Sequence, residues 1–148
     1  MEQGLQQLGN LGHVGGSFVC DNTGGVITSS TPAVLATVTM IMIGRETAQA
    51  FAALEAGGRA ANRIDFTYDT WRLLATDLGD GILLVVCEPQ VDMPILRMTV
   101  DVVSSAWKKD SAVQKQFARH RAARKEVIAR AQFDDVSQRS WKTIQSRI

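Results

Sequence analysis

Residues with the types that chemistry needs are few in this chain, and their spacing does not gather them. His13 and His120 are the only histidines in the 148 residues, too little imidazole for a nucleophile triad or a histidine-based metal centre. Asp77 and Asp80 flank a turn and could share a cation. A hard cation takes about six oxygens or more, however, and hairpin chemistry accounts for two carboxylates at a turn without one. Cys20 and Cys87 lie in apolar strand-like runs, Phe18-Val19-Cys20 and Leu84-Val85-Val86-Cys87. They read as two buried reduced thiols, since a disulfide or metal site would call for more cysteines or nearby histidines. A phosphate-cradling loop would join strand to helix through a G-x-x-x-x-G-K-[ST] run, and none occurs. The glycine-rich Asn22-Thr23-Gly24-Gly25 lies between two strand signals, as turn chemistry predicts. The residues therefore point away from an enzyme, with no cofactor and no metal expected, and towards a protein that works by binding.

The chain length suits one domain, or one domain with an appendage. With 45% hydrophobic and 21% charged residues, the composition is that of an ordinary globular protein. No apolar run approaches the roughly 20 residues that span a bilayer. The first residues lack a basic flank followed by an apolar signal core, so a cytoplasmic protein is expected. Charge divides the chain: residues 1–107 hold 5 Lys/Arg against 11 Asp/Glu, a charge of −6, whereas residues 108–148 hold 11 against 4, a charge of +7. That division predicts a body over 1–107 and a basic, helical extension over 108–148. In the extension, Val113, Phe117, His120, Val127, Ile128 and Ala131 fall along one helical side, interrupted by Arg124. Asp134-Asp135 can restart a helix bearing Trp141, Ile144 and Ile148. Such a tail suits an acidic protein surface, including its own body or a sister subunit. A membrane surface is also open to it, because Phe133, Trp141, Ile144 and Ile148 mix with basic residues. Nucleic acid is disfavoured, as aromatic residues do not interleave with the charges.

The elements that must hold any binding surface follow from periodicity. Leu5, Leu8 and Leu11 predict a short helix over 2–11, although Gly4 and Gly9 each weaken it by roughly 1 kcal/mol relative to alanine. A glycine-rich break over 12–16 leads to a β-hairpin, with strands at 17–20 and 26–28 around a turn at 21–25. Pro32 suits the first turn of a helix and Gly57-Gly58 its end, which predicts a helix from about 33 to 56. At 100° per residue, Val34, Val38, Ile41, Ala48 and Ala52 make one apolar stripe, and Met40, Ile43, Phe51 and Leu54 a second. One stripe covers a sheet. The other asks for a second occupant, either another subunit or the tail of the same chain. Three strands come next: 63–68, which strictly alternates Ile64, Phe66 and Tyr68 with polar residues; 71–76; and 82–87, apolar on both faces and so central. Asp92 and Pro94 open a last helix, with Ile95, Thr99, Val102, Val103, Ala106 and Trp107 on its expected buried side.

Two stretches carry a family resemblance: 16–30, with its Asp21-x-x-Gly24-type hairpin turn, and Leu78-Gly79-Asp80-Gly81 followed by the apolar strand Ile82-Leu83-Leu84-Val85-Val86. In this order of elements, residues 2–107 resemble the Roadblock/LC7 family. The resemblance implies an α/β (α+β) profilin-like sandwich, a five-stranded antiparallel sheet with helices on both faces in the order α-β-β-α-β-β-β-α. It implies a homodimer or heterodimer in which the long helix pairs with its counterpart and the first meander strand pairs edge to edge. The residues expected at the dimer interface are Val38, Ile41, Ala48, Ala52, Ile64, Phe66 and Tyr68. Those expected to meet another partner are Met40, Ile43 and Phe51, with Arg119, Arg121, Arg124 and Lys125 of the tail. Proteins of this family regulate or scaffold small Ras-like GTPases without hydrolysing nucleotide, and others are light chains of dynein motors. The function implied is a non-catalytic regulator of such a GTPase; the alternative is a scaffold or adaptor subunit of a motor or membrane-associated complex. The short glycine-containing first helix and the tail of about 40 residues depart from a compact family domain.

Overall fold

An antiparallel sheet of five strands organises the body, and its central strand is the run that is apolar on both faces. The computed structural model describes residues 1–30 and 37–146, with side chains described as far as residue 130 apart from residue 128. The Pro32 helix start and Val34 lie outside the described residues, as do Ile148 and the side chains of Ile128, Ala131, Phe133, Trp141 and Ile144. Along the chain come α1 (Glu2–Gly9), β1 (Val14–Cys20), β2 (Val26–Ser30), α2 (Thr37–Ala56), β3 (Arg63–Thr67), β4 (Arg72–Asp77), β5 (Ile82–Cys87), α3 (Met93–Lys109) and α4 (Ser111–Ser146). The sheet order is β2-β1-β5-β4-β3. The fold is thus the α+β sandwich expected. Among the described residues no helix is long and apolar enough to cross a membrane.

β5 lies between β1 and β4, so both its edges are paired, and helices cover both its faces. Ile82 and Leu84 join Phe18, Cys20, Leu73 and Ala75 in a core closed by Met40 and Ala48 of α2. Leu83 and Val85 alternate to the opposite face with Val19 and Leu74, all fully or nearly fully buried, where α1 and α3 supply the cover. Leu5 and Leu8 are fully buried, and a Cβ at Gly4 would stand 2.8 Å from Val103 Cγ1 and 2.9 Å from Trp107 Cζ2. The glycine that weakens α1 as a helix thus lets it pack against α3.

Three sequence expectations change. β1 begins at Val14, not at residue 17: Val14 pairs with Cys87 and Gly16 with Val86, with the register shifting between them. The glycine pair expected to break the chain instead forms a bulge inside a strand, a position where glycine is common. The buried face of α3 is rotated from the one expected, keeping Val103 and Trp107 but turning Ile95, Val102 and Ala106 outward. Met93, Leu96, Val100, Val103, Ser104 and Trp107 are buried, while Ile95, Met98 and Val102 are 49%, 67% and 56% exposed. Two apolar stripes at the same spacing compete on this helix, and contacts outside it decide between them. Arg63 pairs with Asp101, and Asp65 with Arg97 at 3.5 Å, which turns that side of α3 towards β3. Third, α4 runs without interruption to Ser146, so no new helix starts at Asp134-Asp135.

Asp92 caps α3, its Oδ1 accepting from the Ile95 N–H at 3.2 Å. At the other end, Val113 is buried and Gln114 Nε2 donates to the Trp107 carbonyl at 3.0 Å. These contacts carry the first compact unit to Gln114, and the second unit comprises residues 115–148.

Candidate protein-binding surface

The orientation of α2 decides which of its two apolar stripes is left outside. A hairpin turn fixes that orientation. Asp21 Oδ1 accepts from the Thr23 N–H at 2.8 Å, the Thr23 hydroxyl at 2.6 Å and the Gly25 N–H at 2.9 Å, winding the β1–β2 turn tightly. Gly24, at φ +95, then lies against α2: a Cβ there would meet the Arg45 nitrogen at 2.4 Å, and one at Gly44 would meet the Gly24 carbonyl oxygen at 2.9 Å. Backbone touches backbone at this point, so Gly44 must face inward. Met40, Thr47 and Ala48 follow it, and the Thr47 hydroxyl donates to the Ile43 carbonyl at 2.8 Å, which satisfies it within the helix.

The inward face draws one residue from each expected stripe. Met40, expected to meet a partner, is 6% exposed, and Ala48, expected at the dimer interface, is 7% exposed. Both belong to the chain's own core. The grouping went astray at Ala48, which on a helix of 100° per residue sits only about 20° from Ile41, across the boundary between the buried and open sides. Ile43 and Phe51 are half-buried at the margin of the core. Val38, Ile41 and Met42 are 68%, 38% and 59% exposed, and Ala52 is also exposed. Met42 was missed in the sequence, although it lies about 40° from Val38 on the same side.

Beside α2 lies the sheet margin. β3 hydrogen-bonds to β4, with Ile64 opposite Ala75 and Phe66 opposite Leu73, and its other side is an edge of the sheet. Ile64 and Phe66 are half-buried on the α2 face. Tyr68, 43% exposed, stacks on Trp71 with ring centroids 4.2 Å apart and planes at 13°. A groove of about 160 Å³ runs between this stack and α2, lined by Ile43, Glu46, Phe66, Tyr68 and Trp71 among others. On the opposite face of β3, Asp65 accepts from Arg72 at 2.6 Å. Of the expected surface residues, Ile43 of α2 thus meets Phe66 and Tyr68 at this groove, whereas Val38 and Ile41 lie on a different side of the helix, Ile41 about 160° from Ile43. In the second unit, Arg119, Arg121, Arg124 and Lys125 are exposed on α4, and Arg130 pairs with Glu126 at 2.8 Å.

The residues first considered for chemistry are placed elsewhere. Cys20 and Cys87 are free and buried. Burial, with help from the Asp21 carboxylate, pushes the Cys20 thiol up to about 12, and burial pushes Cys87 up to about 11, so both are neutral thiols at physiological pH. His13 Nδ1 lies 2.8 Å from Glu88 Oε2. Asp77 Oδ1 accepts from the Gly79 N–H at 2.8 Å, shaping the β4–β5 turn.

No protein-family model matches the sequence, and neither does any curated protein. The architecture is nevertheless well known: a five-stranded antiparallel sheet with this helical cover is the Roadblock/LC7 fold. The Roadblock/LC7 domain from Streptomyces avermitilis superposes with a TM-score of 0.64 at 11% identity, over 74% of this chain and 95% of that one. The gliding protein MglB from Thermus thermophilus gives 0.61 at 13%, over 80% and 88%. MglC from Myxococcus xanthus gives 0.54 at 11%, over 80% and 97%. At such identities the likeness is one of fold.

Proposed function

We propose that this protein is a non-catalytic, dimeric regulator of a small Ras-like GTPase in the cytoplasm. The observation that carries the reading is the apolar stripe of Val38, Ile41 and Met42 exposed on α2, in a molecule whose sheet ends at an unpaired edge of β3. Exposed large apolar residues at helical spacing and a free strand edge each favour a protein mate over water. In the proposed dimer, Val38, Ile41 and Ala52 meet their counterparts, and β3 pairs with its twin, enclosing Ile64, Phe66 and Tyr68. Ile43 and Phe51, at the margin of the paired helices, then face the GTPase, with the Arg119, Arg121, Arg124 and Lys125 side chains as a further basic contact. Regulation comes from differential affinity: a platform that binds one switch conformation better shifts the population towards it without donating a catalytic group. The fold supports this reading through the family resemblance, and one solved MglB structure is itself described in a tetrameric arrangement.

The test is GTP hydrolysis and nucleotide exchange by purified small Ras-like GTPases from the same source, with and without this protein. A change in either rate that is lost in Ile43→Asp/Phe51→Asp supports the reading; no binding to any of them removes it. The adaptor alternative gains weight from α3, whose exposed Ile95, Met98 and Val102 offer a second apolar stripe on the side of the sheet opposite α2. Truncation after Gln114, the end of the first compact unit, separates the two readings, because a body-built regulator keeps its GTPase, weakened only by the lost basic contact, whereas a tail-dependent scaffold loses a partner.

A further inference from the structure

A cleft of about 330 Å³ opens at one end of the sheet, where the C-terminal half of α2, the connection over 57–62 and the β1–β2 and β4–β5 turns converge. Hydrogen bonds hold its walls: Asn22 Nδ2 donates to the Gly79 carbonyl at 3.3 Å, joining the two turns, and the Asp77 N–H donates to the Asn62 carbonyl at 2.8 Å. Phe51, Ala52 and Ile82 give it apolar lining, with Ile82 buried, and the lining also carries the exposed carboxylates of Glu55 and Asp77.

The charge at this cleft has one sign. No lysine, arginine or histidine lines it. Neither Glu55 nor Asp77 forms an ion pair among the described residues. The last turn of α2 holds no basic residue, although a helix C-terminus carries partial negative charge and favours a cation there. Glu55 adds to that field, and the body that surrounds the cleft carries −6 over residues 1–107.

We propose that this cleft docks a lysine or arginine side chain presented by a segment of a partner protein. The aliphatic stem of such a residue covers Phe51, Ala52 and Ile82 while its charged head remains at the wet rim between Glu55 and Asp77, the division of labour that long basic side chains adopt. Charge complementarity selects a cationic occupant, and the acidic body steers it in. The rim pairs select a tethered one: an exposed ion pair is worth at most about fivefold in affinity, too little to retain a free amine. The volume, near the low end of the roughly 300–1,000 Å³ of ligand pockets, suits one side chain with its neighbours. The cleft shares Phe51 and Ala52 with the surface described above, so its occupant competes there with the proposed twin and GTPase and needs neither to dock.

The experiment follows amide resonances of the full chain during titration with a capped tetra-arginine peptide. Capped tetra-glutamate and free argininamide serve as comparisons. The expected result is a set of shifts centred on Glu55, Asn62, Asp77 and Gly79, weakening with added salt. Binding of the arginine peptide to E55Q/D77N should be about tenfold weaker at unchanged melting temperature, as two exposed pairs predict; asparagine retains the oxygen that accepts from the Gly79 N–H. Shifts centred elsewhere, or equal binding by E55Q/D77N, overturn the proposal. So does argininamide binding as tightly as the peptide, which would make the ligand a small cation. Absence of binding in a chain whose second copy protects these amides would make the occupant another protomer, and overturns it too.

Discussion

The two cysteines show how far a single residue can be read. Both sit in strand-like apolar runs, and the sequence places them as buried thiols, which is how the structure has them. Their burial has a consequence for pH. Each folded thiol titrates above its ordinary value of 9.0, Cys20 at about 12 and Cys87 at about 11, so the unfolded chain loses these protons first. Their contribution to stability is fully present below about 9 and is lost as pH rises through 11 and 12. The urea midpoint should therefore fall between pH 9 and 11, and Cys20→Ala/Cys87→Ala should fall less steeply over that range. Identical slopes would mean that the thiols ionise freely in the folded chain. Met40 and Ile41 mark where residue-level reading stops. Both are apolar and adjacent in sequence, and only the turn against Gly44 sends Met40 inward and leaves Ile41 at the surface.

Among elements, a hairpin tip sets the rotation of α2, and glycines make that contact possible. Gly24 combines a left-handed φ with a 2.4 Å approach to the Arg45 nitrogen, Gly44 has only a 2.9 Å approach to the Gly24 oxygen, and nothing lies within 4 Å of Gly9. Stability should follow that order. Gly24→Ala is expected to cost about 3 kcal/mol and Gly44→Ala about 1–2 kcal/mol, through strain and overpacking. Gly9→Ala, in the last position of α1, should gain roughly 0.5 kcal/mol. Urea unfolding of the three variants checks this, and a Gly24→Ala chain as stable as the parent would deny the backbone contact. Element type and order were legible because periodicity is local: the alternation of 63–68 announces a strand with one buried face and the all-apolar 82–87 a central one. The buried face of α3 was legible only in part, since Ile95, Met98 and Val102 match Leu96, Val100 and Val103 in hydrophobicity and helical spacing. The α1 contact through Gly4 and the ion pairs to β3 make that choice, and they are long-range.

For the whole molecule, the proposed pairing predicts a solution mass of twice 16.1 kDa by sedimentation equilibrium at micromolar concentration. Val38→Asp/Met42→Asp should reduce it to one protomer with little loss of fold stability, because both side chains are largely in water when the protomer is alone. A single-protomer mass for the parent chain would contradict the dimer. The sequence carried the architecture to this scale because the order of elements leaves few ways to close the sheet. It did not carry the partner, since surface side chains can change while the core that defines the fold persists, as identities of 11–13% to the same architecture illustrate. The margin at β3 has one more effect. A row of unsatisfied main-chain donors and acceptors templates any extended polypeptide that reaches it. A protomer kept single would therefore offer a seed for fibre growth, and mating with a twin would act as quality control over its own solubility.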